Sequence, residues 1–313
     1  MIKYKYITKF FNFLIFLQIS DYKQLRLVSV YLKISELYKN DLKFHCSRFL
    51  NNNKPKFTDV EVITIYLFVM KEQKYFEIKQ IYDFTKDYMS SWFPDMPSYV
   101  AFNTRLNNLS SVFERLSQII IASNMPKNCD FNNSLLDSMP IITCSGKRKA
   151  KVALEITDKS YNSTKNLWYH GVKLHALGFR RPNTIPYPES IIITQASEND
   201  LNVFKQYWSN FKNRTFWGDK IYTDNNFFPE LVKKNNSVMY TPVKETKGKT
   251  KCLKKRDRAF NDLFSSAVSK IREPIESFFS WLIQKTEIQR AFRVRSTKGL
   301  IVHILGRLTA AFI

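Results

Sequence analysis

Apolar residues recur at helical spacing through the first third of the chain. Leu25, Val28, Leu32 and Leu37, together with Ile34, are interleaved with Lys, Arg and Gln in the pattern of an amphipathic helix. Thr58 and Glu61 have the spacing of a capping box directly before the apolar run Val62–Val69, which predicts a helix start there. Further helices fit residues 77–88 and 98–123, separated by Pro94 and Pro97. An all-helical region over residues 1–125 is the expectation.

The pattern changes near residues 125–133. Short β-like runs follow at Ser134–Cys144, Leu167–Gly178, Ser190–Thr194, Thr215–Trp217 and Ser237–Pro242, with helical patterns at 199–211 and 226–235 between the later ones. A long helical stretch, residues 258–290, closes the series. Three early strands followed by alternating helices and strands predict an α/β domain over residues 126–313. Near the start, a basic stretch precedes the apolar run Phe10–Leu17. The run is short and lacks a small-residue cleavage site, so it reads as a buried helix rather than a leader peptide. No segment approaches the roughly 18 consecutive apolar residues of a membrane span.

Charge changes the picture. Forty-nine Lys and Arg stand against 27 Asp and Glu, a formal +22. An excess this large points to a polyanionic partner, since each cation placed on a phosphate releases condensed counterions. The duller reading is that a Lys- and Asn-rich chain reflects an AT-rich genome. Eight basic residues crowd between Lys244 and Arg258, a run that reads as a solvated loop or arm. Lys147, Arg148, Lys149 and Lys151 form a second basic cluster. The four cysteines include no CxxC pair and only four histidines accompany them, which argues against a structural zinc site and for free thiols in a reducing cytoplasm. Seven glycines in the whole chain leave no Gly-rich phosphate loop, so Walker-type nucleotide binding is excluded.

Three acidic residues stand where a metal site is buildable. Asp137 lies inside an apolar strand, where a carboxylate is costly unless paired or bound to metal. Asp219 follows the strand Thr215–Trp217, and strand ends are where open α/β sheets place ligands. Glu276 lies on a helix otherwise patterned for apolar packing. Hard cations such as Mg²⁺ take oxygen ligands, and paired ions stabilise both oxygens of an in-line phosphoryl displacement.

Six segments carry a family resemblance. Leu136-Asp137-Ser138-Met139-Pro140, Trp168 through His175, and Gly218-Asp219-Lys220 with Tyr222 are three of them. Arg272 with Ile275-Glu276, Phe279 and Leu282 is a fourth, and Thr58–Thr64 and Pro97–Leu106 complete the set. In this order they resemble the DDE transposases of bacterial insertion sequences, nearest the nine-eight-two insertion-sequence family, from about residue 57 onward.

The resemblance implies an RNase H-like catalytic core with a mixed five-stranded sheet, preceded by an all-α DNA-binding or assembly region. It implies Asp137, Asp219 and Glu276 as the catalytic, metal-binding triad for two Mg²⁺ (or Mn²⁺) ions. The implied chemistry is hydrolysis at transposon ends, followed by attack of the freed 3′-hydroxyl on target DNA. The implied partner is double-stranded DNA, both terminal inverted repeats and target, bound by a homodimer in the bacterial cytoplasm at the nucleoid, with no membrane partner. Lys147, Arg148, Lys149, Lys151, Lys254, Lys255 and Arg256 are the candidate backbone contacts. Lys173, His175 and Arg272 are candidates nearer the metals.

Rival assignments stand beside these. Glu273 shares a helical face with Glu276, although motif register favours the latter. Asp224 rivals Asp219 but sits in a cap-like setting. Asp200 is either a further acidic position of the family or a helix cap, and His175 either touches phosphate or packs in the strand. Pro274 inside the motif predicts a kink or a helix restart and raises the alternative of an inactive DNA-binding relic. A nuclease without strand transfer is the other alternative.

Overall fold

A computed structural model describes residues 21–46, 55–162, 166–243 and 251–313, without the side chains of residues 21, 251–254 and 256–260. The run Phe10–Leu17 lies outside the described residues. The chain divides into two compact units, one comprising residues 1–120 with 298–313 and the other residues 121–297.

The first unit is helical. Helix α1 (Asp21–Asn40) packs on α2 (Asp59–Gln73), and α3 (Ile78–Tyr88), α4 (Tyr99–Asn108) and α5 (Ser110–Ser123) follow. Thr58 caps α2 through the expected box: its side chain accepts from the Glu61 amide and Glu61 accepts from the Thr58 amide. Nearly every residue from Asp59 to Met70 is buried, so α2 is the axis of the unit. Its buried Asp59 is neutralised by Arg105 and accepts a hydrogen bond from Tyr38. The stripe of α1 that packs is Leu27, Val30 and Ile34, whereas Leu25 and Leu32 stay exposed. Two apolar stripes share this helix, and docking on α2 decides between them.

The last helix belongs with this unit. Helices α10 (Thr297–Ile301) and α11 (Arg307–Phe312) are joined by a π-helical turn, Val302–Gly306. A Cβ at Gly306 would lie 2.7 Å from the Tyr66 ring, so only glycine allows this approach to α2. Arg307 donates to the Phe76 carbonyl at 2.6 Å. The compact units therefore differ from a single boundary near residue 126: the C-terminal residues complete the helical core instead of ending the α/β one.

The second unit is a mixed α/β structure with an RNase H-like core. Its strands are β1 (Asp130–Ser145), β2 (Asp158–Asn162), β3 (Leu167–Arg180), β4 (Tyr187–Gln195), β5 (Thr215–Trp217) and β6 (Val238–Tyr240). The sheet runs β2-β3-β1-β5-β6, with β4 continuing the edge of β3 where β2 ends. Pairing is antiparallel across β1, β2, β3 and β4 and parallel from β1 through β5 to β6. Among the described residues the sheet thus has six strands, not five. Short, polar β2 (Asp-Lys-Ser-Tyr-Asn) shows little strand patterning and is recruited by the free edge of β3.

Helix α6 (Asp200–Val203) runs on into a π-helical segment, Phe204–Trp208, and α7 (Phe227–Asn235) precedes β6. Leu136, Leu177, Phe204, Trp208, Phe216, Tyr222 and Leu231 form the core beside the sheet. Helix α8 (Lys251–Arg272) takes up residues 251–258 of the basic run, which the sequence pattern presented as loop. Helix α9 (Pro274–Thr286) follows after a break at Glu273. Past α9 the chain is stitched to β1: the Ile142 amide donates to the Gln289 carbonyl and the Ala291 amide to the Ile142 carbonyl, each at 2.9 Å. No helix among the described residues is long and apolar enough to cross a membrane.

Candidate functional site

Strand β1 presents Asp137 opposite Ala176 of β3, flanked by the buried Leu135 and Leu136. Its Oδ2 accepts a hydrogen bond from Arg272 Nη1 at 3.0 Å, and Oδ1 accepts from the Ser138 amide at 2.8 Å. Burial in the apolar strand pushes the Asp137 carboxyl up to about 6. Arg272 and the Ser138 amide oppose that rise, and the nearby Asp219 and Asp200 carboxylates add to it. Desolvation outweighs the Arg272 charge at this carboxyl.

Asp219 sits just beyond β5, where Oδ1 accepts from the Ile221 amide at 2.7 Å and so fixes the turn. Gly218 before it is packed against the Tyr222 ring, which a Cβ would approach to 2.7 Å. Tyr222 is fully buried, and its hydroxyl has no hydrogen-bond partner among the described residues. Burial raises its pKa well above the ordinary tyrosine value, and Asp200, Asp137 and Asp219 raise it further. The phenol is thus a buried, unsatisfied polar group in an otherwise apolar cluster.

Glu276 projects from the first turn of α9, while Ile275, Phe278, Phe279 and Leu282 of that helix are buried. Arg272 Nη2 donates to Glu276 Oε1, so one guanidinium joins Glu276 to Asp137. Glu273 takes no part in this junction and is the N-cap residue of α9. Pro274 is the first residue of that helix, where an amide N–H would lack an intrahelical partner in any case. The helix restarts there.

Asp224 is a cap: it accepts from the amides of Asn226 and Phe227 and pairs with Lys205 at 2.6 Å. Those donors hold its carboxyl down to about 2. Asn199, not Asp200, caps α6, its side chain accepting from the Leu201 amide at 2.8 Å. Asp200 is thereby free to turn toward β1 and β3. It accepts from the Ser138 hydroxyl at 3.1 Å and from Lys173 Nζ at 3.0 Å.

Lys173 also donates to the Glu198 carbonyl, so its ammonium is committed to this carboxylate cluster. His175 is completely buried, and its Nε2 pairs with Thr194 Oγ1 at 2.9 Å. Its Nδ1 lies 3.3 Å from Asp200 but finds no hydrogen-bonding geometry. Burial, helped by Lys173, drops the imidazole to about 3 and keeps it neutral. The ring is thus sealed from solvent.

Lys147, Arg148, Lys149 and Lys151 are exposed in the turn after β1, and Lys255 is exposed on α8. The side chains of Lys254 and Arg256 lie outside the described residues. A cleft of about 610 Å³ opens beside Asp219 and Arg272, walled by Lys220, Pro242 and α8. Asp262, Ser265, Ser266 and Ser269 line it from α8, a polar face that the sequence reading missed. The signal was available in their spacing with Arg272, which repeats every three or four residues along one helix face.

A family model of the transposase DDE domain matches residues 133–313, more than half of the chain. The chain belongs to the transposase DDE-domain family. No curated protein and no solved structure matches it significantly. Members of this family typically use divalent metal ions. Among the described residues no group of three His, Cys, Asp or Glu side chains converges tightly enough to hold one. In this transposase domain a guanidinium, itself a cation, stands between Asp137 and Glu276. The hard carboxylate oxygens of Asp137, Asp219 and Glu276 are the donor type that a divalent cation takes.

Proposed function

We propose that this chain is a DNA transposase of the nine-eight-two insertion-sequence kind, with Asp137, Asp219 and Glu276 as its catalytic triad. The observation that carries the reading is the Arg272 bridge, which gathers Asp137 from β1 and Glu276 from α9 beside the strand end that bears Asp219. Asp137, Asp219 and Glu276 would hold two Mg²⁺ (or Mn²⁺) ions. Bound there, the ions supply activation of the attacking oxygen and stabilisation of the leaving one.

The chain's own residues do the rest. The apolar flanks of Asp137 exclude water from one side of the site. The Asx turn of Asp219 fixes its carboxylate, leaving Oδ2 for a ligand. Arg272 is positioned to turn from the carboxylates to a phosphate, a role that bidentate guanidinium geometry suits. Phosphoryl transfer here depends on alignment and charge, so a protein nucleophile is unnecessary.

On this reading the substrates are double-stranded DNA, terminal inverted repeats and target. They are gripped by the exposed Lys147–Lys151 cluster and Lys255 and processed by a homodimer at the bacterial nucleoid. The helical unit serves DNA binding or assembly, and the unit of residues 121–297 carries the chemistry.

The test is cleavage and joining of labelled terminal-repeat DNA with Mg²⁺. Asp137→Asn, Asp219→Asn and Glu276→Gln are expected to lose at least about a hundredfold in rate. Asp224→Asn retains activity, because asparagine caps a helix nearly as well as aspartate. Chelation of divalent ions abolishes both steps. Cleavage without joined product would assign a nuclease instead, and metal-independent binding alone an inactive relic.

A further inference from the structure

A second cleft lies in the same unit on the other side of α8. It encloses about 570 Å³ between the turn joining β3 to β4 and the junction of α8 with α9. Arg180 and Arg181 line it from the turn, Lys270 from α8, and Ser277 from α9. Glu273 is its one acidic residue.

These cations are not consumed within the described structure. Arg180 and Lys270 are exposed, and neither forms an ion pair among the described residues. Arg181 is held in place instead of neutralised: its Nε donates to Asn128 Oδ1 at 2.9 Å and its Nη1 to the Ile185 carbonyl at 3.4 Å. Asn183, at φ 54°, makes the turn that lets the side chain reach back to that carbonyl. Two of five guanidinium N–H groups are thereby committed, and the remainder are free to donate. Like charges gathered in a concave surface repel one another and concentrate a positive field, an arrangement that favours an anionic ligand.

The cleft is also placed with respect to the triad. Lys270 and Arg272 are two residues apart on α8, about 200° around a helix. Arg272 faces Asp137 and the first cleft, so Lys270 faces away from them, toward the second. One helix thickness, about 10–12 Å, separates the two faces.

We infer that this second cleft binds the phosphodiester backbone of DNA away from the phosphate under attack, with Arg180, Arg181 and Lys270 as its contacts. The inference rests on the proposed DNA transposase function, and nothing in the triad itself requires it.

The experiment is the salt dependence of affinity for a fluorescein-labelled duplex carrying the element's terminal repeat, with the full chain and without added metal. Each cation removed is expected to make the slope of log affinity against log salt shallower by about 0.9, so Arg180→Ala with Lys270→Ala gives about 1.8. Arg180→Lys keeps the wild-type slope, since its charge remains. Glu273→Gln, which removes the opposing carboxylate, tightens binding several-fold at low salt, a gain that misfolding cannot produce. Wild-type slopes in the alanine variants together with unchanged affinity in Glu273→Gln would overturn the cleft assignment while leaving the triad standing. Absence of salt-dependent binding by the wild-type chain would instead overturn the DNA transposase reading on which it rests.

Discussion

Arg272 Nη1 stands 3.0 Å from Asp137 Oδ2, closing a loop of 135 residues between the last turn of α8 and the middle of β1. Both side chains are mostly shielded from solvent, so the guanidinium is the principal counter-charge of a carboxyl that burial otherwise disfavours. Arg272→Ala should cost about 1–3 kcal/mol at pH 8, the usual range for losing a hydrogen-bonded partner of a charged group. The folded carboxyl is held near 6 against an ordinary 3.8, so its ionisation works against folding as pH rises. The deficit of the variant should therefore shrink below about pH 6, where Asp137 takes up a proton. Urea unfolding at pH 8 and pH 5 decides this, and an equal deficit at both values would refute it.

His175 makes the opposite kind of pH dependence. Its folded pKa, about 3, lies below the ordinary 6.5, so the unfolded chain binds a proton that the native chain refuses. Stability attributable to this group is complete above 6.5 and declines as pH falls toward 3. Between pH 7 and pH 5 the loss amounts to about 2 kcal/mol. His175→Gln can still pair with Thr194 but does not titrate. The wild type should lose about 2 kcal/mol more than this variant over that interval in parallel denaturant melts.

Pro274 opens α9 at a position where proline is compatible with the helix. Its ring restricts the unfolded chain without removing a native hydrogen bond. Pro274→Ala should lower stability by about 0.4–1 kcal/mol and leave DNA cleavage intact. A gain in stability would mean that the proline is strained there.

Tyr222 buries a hydroxyl that no described residue satisfies. Tyr222→Phe removes the unsatisfied group and keeps the ring, so the melting temperature should rise, by the equivalent of about 1 kcal/mol. Gly218→Ala forces a Cβ to within 2.7 Å of the same ring and should cost about 1–3 kcal/mol. Thermal melts of the two variants should therefore shift in opposite directions.

Much of this was legible in the sequence, because some signals are local. The capping box at Thr58 and Glu61 needs only residues three apart, and the apolar run after it needs only its own composition. The strands around Asp137 and Asp219 announced themselves by apolar runs, and Glu276 by its place on a helix whose other face is apolar. The excess of basic residues is a property of composition alone.

Other features depend on groups that meet only after folding. Short β2 exists because β3 offers a free edge, and Leu27, Val30 and Ile34 are buried, not Leu25 and Leu32, because α2 docks on that side of α1. Asp200 becomes a hub because Asn199 takes the capping role and because β1 and β3 bring Ser138 and Lys173 within 3.1 Å of its carboxylate. His175 is neutral and sealed because the sheet closes over it, which no local pattern records. The sequence by itself determined the helical and α/β halves, the positive charge and the candidate carboxylates, since these follow from periodicity and residue type. Only the tertiary structure decided which cations face the carboxylates and which face a second cleft, because burial and pairing are properties of neighbours in space.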